Sequence, residues 1–278
     1  MKLAILSDIH GNYPALLNVI EHVEAWRPDV VVVAGDTVNR GPRSADCLAL
    51  TLAKAREAGW LTVIGNHEEY VIAQSKPDCP THGPKADIQR ASRWTYEQLN
   101  RDVSALEAMP FAHDLPGPGG SDVRITHGSM LGTRDGVYPR TTDDELAPKL
   151  GQPLPAVFCV GHTHQPLTRT LDGALVINAG SVGLPFDGDW RSSYAQVTWQ
   201  GGRWHARIVR LEYDRQQAEH DFCETGFLDE GGPLARVMLR ELQIASGLIY
   251  SWAKEFEQPV LDGEITIEQS VERFLQRY

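Results

Sequence analysis

The stretch VVVVAGDTVNRG, Val30 to Gly41, decides the fold. Its valines read as a strand buried on both faces, the pattern of a parallel sheet covered by helices. The apolar run ends abruptly at Asp36. A carboxylate at the end of a buried strand is costly unless it is paired, hydrogen-bonded or bound to a cation. Asp36, with Asn39 and Arg40 just beyond it, therefore marks a functional strand end.

The same pattern recurs on either side. KLAIL is a buried strand, and PALLNVIEHVEAW is a helix with Leu16, Val19, Ile20 and Val23 on one face. SADCLALTLAKAREAG is the next helix, with Ser44 as its expected N-cap and Gly59 as its stop. LTVIG is a third strand. Strands alternating with helices of this length indicate a largely parallel sheet.

Residues 74–90 read as a polar surface loop, and ASRWTYEQLNRDVSALEAMP as a helix ending before Pro110. PGPGGSD is a turn between two short strands, the second being VRIT. PAVFCVG, ALVINAG, SSYAQVTW and WHARIVRLEY are further strands, expected to form a second sheet packed on the first. From about residue 214 the texture changes. PLARVMLRELQIASGLIYSWAKEF and TIEQSVERFLQRY read as amphipathic helices. The expected division is a catalytic domain over 1–213 and a helical C-terminal appendage over 214–278. The appendage either covers the site or joins two copies into a homo-oligomer.

The chain has 278 residues and a formal net charge of -11. No cluster of Lys and Arg suggests a duplex nucleic-acid partner. No segment approaches the ~20 apolar residues of a membrane span, and the apolar start is too short for a secretory signal. The four cysteines are widely spaced and contain no CxxC pair. Reduced thiols in a cytoplasmic protein are the expectation.

Ligands gather at the carboxyl ends of strands in α/β sheets. Asp8 and His10 follow the first strand, Asp36 the second, and Asn66 and His67 the third. His127 follows VRIT, and His162 and His164 follow FCVG. Capping explains one such residue, not all of them. Converging imidazoles and carboxylates need a cation among them. In an extended backbone, Asp8 and His10 would share a side, as would His162 and His164.

The blocks DIH, GDTVNRG, GNHE, THG and GHTH resemble, in order, the signature of the calcineurin-like metallophosphoesterases, over about residues 3–185. SDIHGN, GHTHQP and INAGSVGLP are similar to the small prokaryotic phosphoesterase branch. GDTVNRGP is similar to diadenosine tetraphosphatases and phosphoprotein phosphatases. The resemblance implies a two-sheet αββα sandwich. It also implies two divalent cations, Mn, Fe or Zn, about 3.5–4 Å apart. Asp8, His10, Asp36 and His164 would hold one, and Asp36, Asn66, His127 and His162 the other. Asp36 would bridge them.

The implied reaction is hydrolysis of a phosphate ester or anhydride by in-line attack of an activated water. His67 would give a proton to the leaving oxygen. Arg40 would clamp a phosphate oxygen, and Gly180 and Ser181 would line the substrate mouth. Asn39 stands where phosphoprotein phosphatases carry Asp and would orient His67 without adding charge. This favours nucleotide or dinucleoside polyphosphate substrates. A phosphoprotein is the rival substrate. A metal-site scaffold for protein binding, as in the retromer subunit of this fold, is the rival class. His22, His82, His113, His205 and His220 match no block.

Overall fold

A computed structural model describes all 278 residues, Met1 to Tyr278. Two five-stranded sheets form its centre. The first has the order β10-β9-β1-β2-β3 and the second β4-β5-β6-β8-β7. In the first, β1 (Lys2–Leu6), β2 (Val30–Val33) and β3 (Leu61–Thr62) are parallel. In the second, β5 (Val123–Thr126), β6 (Val157–Val160) and β8 (Ala174–Asn178) are parallel. The hairpin strands β4 (Ala112–Leu115) and β7 (Leu167–Leu171) close its edges in antiparallel register.

Alternation along each strand builds the layers. Leu3, Ile5, Val32 and Ala34 face the second sheet and pack on Ile125, Val157, Cys159 and Ile177. Ala4, Leu6, Val31 and Val33 face the other way, against helix α1 (Tyr13–Trp26). Phe158, Val160 and Val176 cover the outer face of the second sheet with Val137, Leu146 and Leu150. The result is the expected αββα sandwich with a helical C-terminal region.

Several local expectations are corrected. SSYAQVTW and WHARIVRLEY form β9 (Ser192–Gln200) and β10 (Arg203–Leu211), but these join the first sheet through β1. Ser44 lies inside helix α2 (Ser44–Ala58) and does not cap it. Its hydroxyl accepts from Asn39 N and donates to Gly41 O, which fixes the loop after β2. Gly59 does end α2, at a φ of 68°. Beyond α3 (Asn66–Ala73), the polar stretch 74–90 contains helix α4 (Pro84–Ile88), and α5 (Arg90–Gln98) stops before Asn100 and Arg101, both left-handed.

The long C-terminal helix is also broken. Leu234–Ile244 ends at Ala245, φ 51°, and Ile249–Trp252 starts afresh. Glu241 makes this corner by accepting hydrogen bonds from Leu248 N at 2.6 Å and Ile249 N at 2.8 Å. Phe222, Leu234, Met238, Trp252 and Phe274 share one apolar cluster with Leu6, Leu16 and Val33. Strand gives way to helix after Leu211, yet the packing is continuous across that point. No helix is long and apolar enough to cross a membrane.

Candidate metal centre and active site

The parallel strands end together, and their loops carry the candidate ligand side chains. Backbone bonds lock the first two loops in register: Asp8 N donates to Gly35 O at 3.1 Å, and His10 N to Asp36 O at 3.0 Å. Asp8, His10, Asp36, His162 and His164 all have φ between 49° and 65°, as do Asn39 and Arg40 within a few degrees. The backbone is therefore left-handed at these positions. The extended geometry expected for the Asp8–His10 and His162–His164 pairs does not occur. His162 and His164 accordingly face different partners.

Two groups of donors result. Asp8, His10, Asp36 and His164 offer ligand atoms within 4.8 Å of one another, and so do Asp36, His127 and His162. Asp36 belongs to both. Asn66 joins the second through its side-chain oxygen, 3.0 Å from His127 Nε2 and 2.8 Å from His162 Nδ1.

The donor set fits a cation. A backbone carbonyl can only accept, so each ring nitrogen beside one carries the proton. His10 Nδ1 donates to Asn39 O at 3.3 Å, His127 Nδ1 to Ala34 O at 2.8 Å, and His164 Nδ1 to Leu184 O. Their Nε2 atoms then turn towards the carboxylates. His10 Nε2 and His164 Nε2 stand 3.1 Å apart, so both cannot carry protons. Asp8 Oδ1 is buried with no hydrogen-bond partner. Lone pairs facing lone pairs in a buried space are balanced by a positive ion, with carbonyls behind the imidazoles as second partners. The local field points the same way. Burial disfavours charge on His127, but Asp36 at 3.2 Å pushes its pKa up to about 10. Burial would raise Asp36, yet His127 and His67 hold it well below the usual carboxylate range.

Glycine is required where backbone touches these carboxylates. A Cβ on Gly161 would sit 1.8 Å from Ser7 Oγ and 2.4 Å from Asp8 Oδ2. That clearance lets His162 N donate to Asp8 Oδ2 at 2.9 Å.

His67 lies beside the cluster. Its N–H donates to Asp36 Oδ1 at 2.8 Å, and its ring meets His10 edge-on at 4.8 Å. Its Nδ1 is buried without a partner. Asn39 does not hydrogen-bond it: the Asn39 amide donates to Ser92 Oγ at 2.9 Å and accepts from Arg40 N at 2.9 Å. The expected orienting role of Asn39 is corrected accordingly. What Asn39 does supply is the carbonyl behind His10.

Gly180 and Ser181 are also placed differently from expectation. Both are buried. Gly180 N donates to Asn178 Oδ1, and Ser181 Oγ donates to Asp8 O while accepting from Leu184 N. They brace the loops from behind and do not line a substrate mouth.

Arg40 is paired with Glu241 at 3.2 Å, and its guanidinium lies 5.5 Å from the Phe186 ring. Glu241 is completely buried. Breaking a buried pair from one side leaves an uncompensated charge, at a cost of roughly 3–5 kcal/mol. Arg40→Ala is therefore expected to lower stability by about that amount in urea unfolding. A loss under about 1 kcal/mol would show that the pair contributes as little as an exposed one.

Two residues escaped the sequence reading. Glu68 is buried and accepts from Asp36 N, Gly65 N, Thr37 N and Val38 N at 2.7–3.3 Å. Burial and the Asp36 charge push its pKa up to about 7, against the pull of His127 and these backbone bonds. Asn178 donates to Gly161 O at 2.7 Å and Thr163 Oγ1 at 2.8 Å, which holds the loop of His162. An acid in the first turn of α3, and a polar residue ending the apolar strand ALVIN, were the available signals. Glu68→Ala would orphan these buried N–H groups at ~1–3 kcal/mol each. We expect a loss of at least about 3 kcal/mol in urea unfolding, and a loss below about 1 kcal/mol would show that the loop after β2 holds itself.

Residues 1–202 match the calcineurin-like phosphoesterase superfamily domain. The chain belongs to that superfamily. This calcineurin-like phosphoesterase is 26% identical over 189 residues to phosphodiesterase YfcE of Escherichia coli K12, covering 68% of this chain and 83% of that one. It is 35% identical over 75 residues to the symmetrical bis(5'-nucleosyl)-tetraphosphatase of Methylobacillus flagellatus, covering 26% of each. The crystal structure of a metallophosphoesterase from Sphaerobacter thermophilus is similar at a TM-score of 0.69 and 27% identity, covering 88% of this chain and all of that one. The protein is thus a hydrolase of the phosphoesterase class with a candidate metal-binding cluster.

Proposed function

We propose that this phosphoesterase hydrolyses a nucleotide-type ester or anhydride, such as a dinucleoside polyphosphate, with two divalent cations. The observation that carries this reading is the convergence of imidazole and carboxylate donors into two groups sharing Asp36. Asp8, His10, Asp36 and His164 would hold one cation, and Asp36, Asn66, His127 and His162 the other. Mixed nitrogen and oxygen donors suit Mn, Fe or Zn. Bound cations supply Lewis-acid polarisation of phosphoryl oxygens and a more acidic water.

The chain's own residues would do the rest. His67 gives a proton to the leaving oxygen. Arg40, tethered by Glu241, meets a phosphate oxygen at the cavity it lines with His67. No side chain backs His67 Nδ1, so nothing there strengthens the ring as a proton carrier. Such an acid suits leaving groups needing little protonation, including phosphates and nucleotides. Likeness to proteins named phosphodiesterase and tetraphosphatase supports the same class.

The Mn-loaded protein should be assayed against nucleotides, dinucleoside polyphosphates, cyclic diesters and phosphopeptides. The highest kcat/KM is expected on a nucleotide or dinucleoside polyphosphate, with all turnover lost to chelator. A phosphopeptide as the best substrate, or turnover indifferent to chelation, would overturn the proposal.

A further inference from the structure

Beside His67 the protein has a cavity of about 510 Å³, within the ~300–1,000 Å³ of small-molecule sites. Arg40 and His67 line it together with Tyr70 from α3 and Ile88 from α4. The far wall is C-terminal: Met238, and Tyr250 from the helix Ile249–Trp252. The cavity therefore exists only because the C-terminal helices return over the catalytic loops.

In an in-line displacement the water and the leaving oxygen lie on opposite sides of phosphorus. The proton donor stands on the leaving side. With His67 in that role, the leaving moiety departs into the space that His67 lines. We infer that this cavity binds the leaving moiety of the substrate, and that the moiety is a planar aromatic group of nucleoside size. The inference rests on the proposed phosphoesterase reaction and on His67 as its proton donor.

Its walls select for that shape. Tyr70 meets His67 edge-on at 5.1 Å and carries the Arg134 guanidinium 4.7 Å from its centroid. Tyr250 at the cavity is 81% exposed, a large aromatic with most of its surface uncovered. Stacking on such a ring is open to any base, because every base has a π-face. The charged groups of the lining are Arg40, Arg134 and Glu257. Arg40 suits the phosphate end, Arg134 lies over the Tyr70 ring, and the apolar remainder suits an uncharged ring. Gln74 and Gln89 add amides that can meet polar ring edges.

The test uses methyl, octyl and adenosine diphosphates with Mn-loaded protein, which differ only in the leaving moiety. Tyr250→Ala removes the exposed ring, and Ala73→Trp fills the cavity from the exposed end of α3. Both should lower kcat/KM for adenosine diphosphate roughly 5–150-fold, leaving methyl diphosphate within about twofold. Saturation-transfer NMR with adenosine alone reads the pocket without catalysis. Wild type should show transfer and both variants should lose it. Equal effects on all three diphosphates, or the largest loss on octyl diphosphate, would overturn the aromatic assignment. Unaltered adenosine binding in both variants would also overturn it, even with hydrolysis intact. If adenosine binding behaves as expected but none of the diphosphates is hydrolysed, the pocket stands and the proposed reaction fails.

Discussion

Asp36→Asn is expected to lower bound metal from near two ions per chain to one or fewer. It should cut kcat/KM by at least ~10³-fold, the loss of several kcal/mol of charge stabilisation. Asp36 is the member common to both donor groups. Its Oδ1 holds His67 N at 2.8 Å and its Oδ2 lies 3.2 Å from His127 Nε2. An amide keeps the shape but puts an NH2 group on one of these positions. Facing His67 N–H it sets donor against donor. Facing His127 it adds a donor where a ligand lone pair belongs. Either orientation removes the negative charge that two adjacent cations would share. The backbone should keep its course, because Glu68 still receives the N–H groups of residues 36–38. Elemental analysis after dialysis against Mn, alongside turnover, tests this. Two retained ions with turnover within tenfold of wild type would remove Asp36 from the centre of the mechanism.

His67→Ala should keep both ions while lowering kcat by roughly 10²–10⁴-fold. Alanine retains the N–H that binds Asp36, so the variant isolates the ring. The loss should be smaller for a nitrophenol leaving group, which needs little protonation. The pH profile adds a signature. Burial pulls the His67 pKa well below its ordinary value, against the attraction of Asp36. An anionic phosphate bound beside the ring favours its charged form and raises that pKa. A general acid loses activity as pH rises through its pKa. The basic limb therefore belongs at higher pH in kcat, which reports the complex, than in kcat/KM, which reports the free protein. Both limbs should vanish in His67→Ala. Loss of one metal with turnover per remaining site unchanged would make His67 a ligand instead.

Burial and length together decided legibility. Val30–Val33 and Val157–Val160 read as strands because they are apolar and covered, and Arg203–Leu211 read as one, although largely uncovered, because it runs for 9 residues. The edge strand Leu167–Leu171 went unread because it alternates half-buried and exposed residues over a short length. Donor residues announced themselves by ending apolar runs. What they bond to did not, because partners such as Ser92 for Asn39, and Glu241 for Arg40, come from distant sequence. Gly180 and Ser181 looked like a mouth because small residues near a site serve equally well as tight packing. Ser246-Gly247 was a readable stop within the C-terminal helix, but the apolar periodicity on both sides concealed it.

The left-handed backbone of the candidate metal loops restricts what these positions can be in two ways at once. A side chain there must present a short oxygen or nitrogen donor, and its residue must accept positive φ. Among non-glycine residues, Asn, Asp and His are the ones enriched in that region, and they are also short donors. Glu could supply the same oxygen but lacks this backbone tolerance. Asp8, His10, Asp36, His162 and His164 meet both conditions with one small alphabet. Arg40, also left-handed at a φ of 65°, lies outside that alphabet, and its side chain is the one held from the far end of the chain by Glu241.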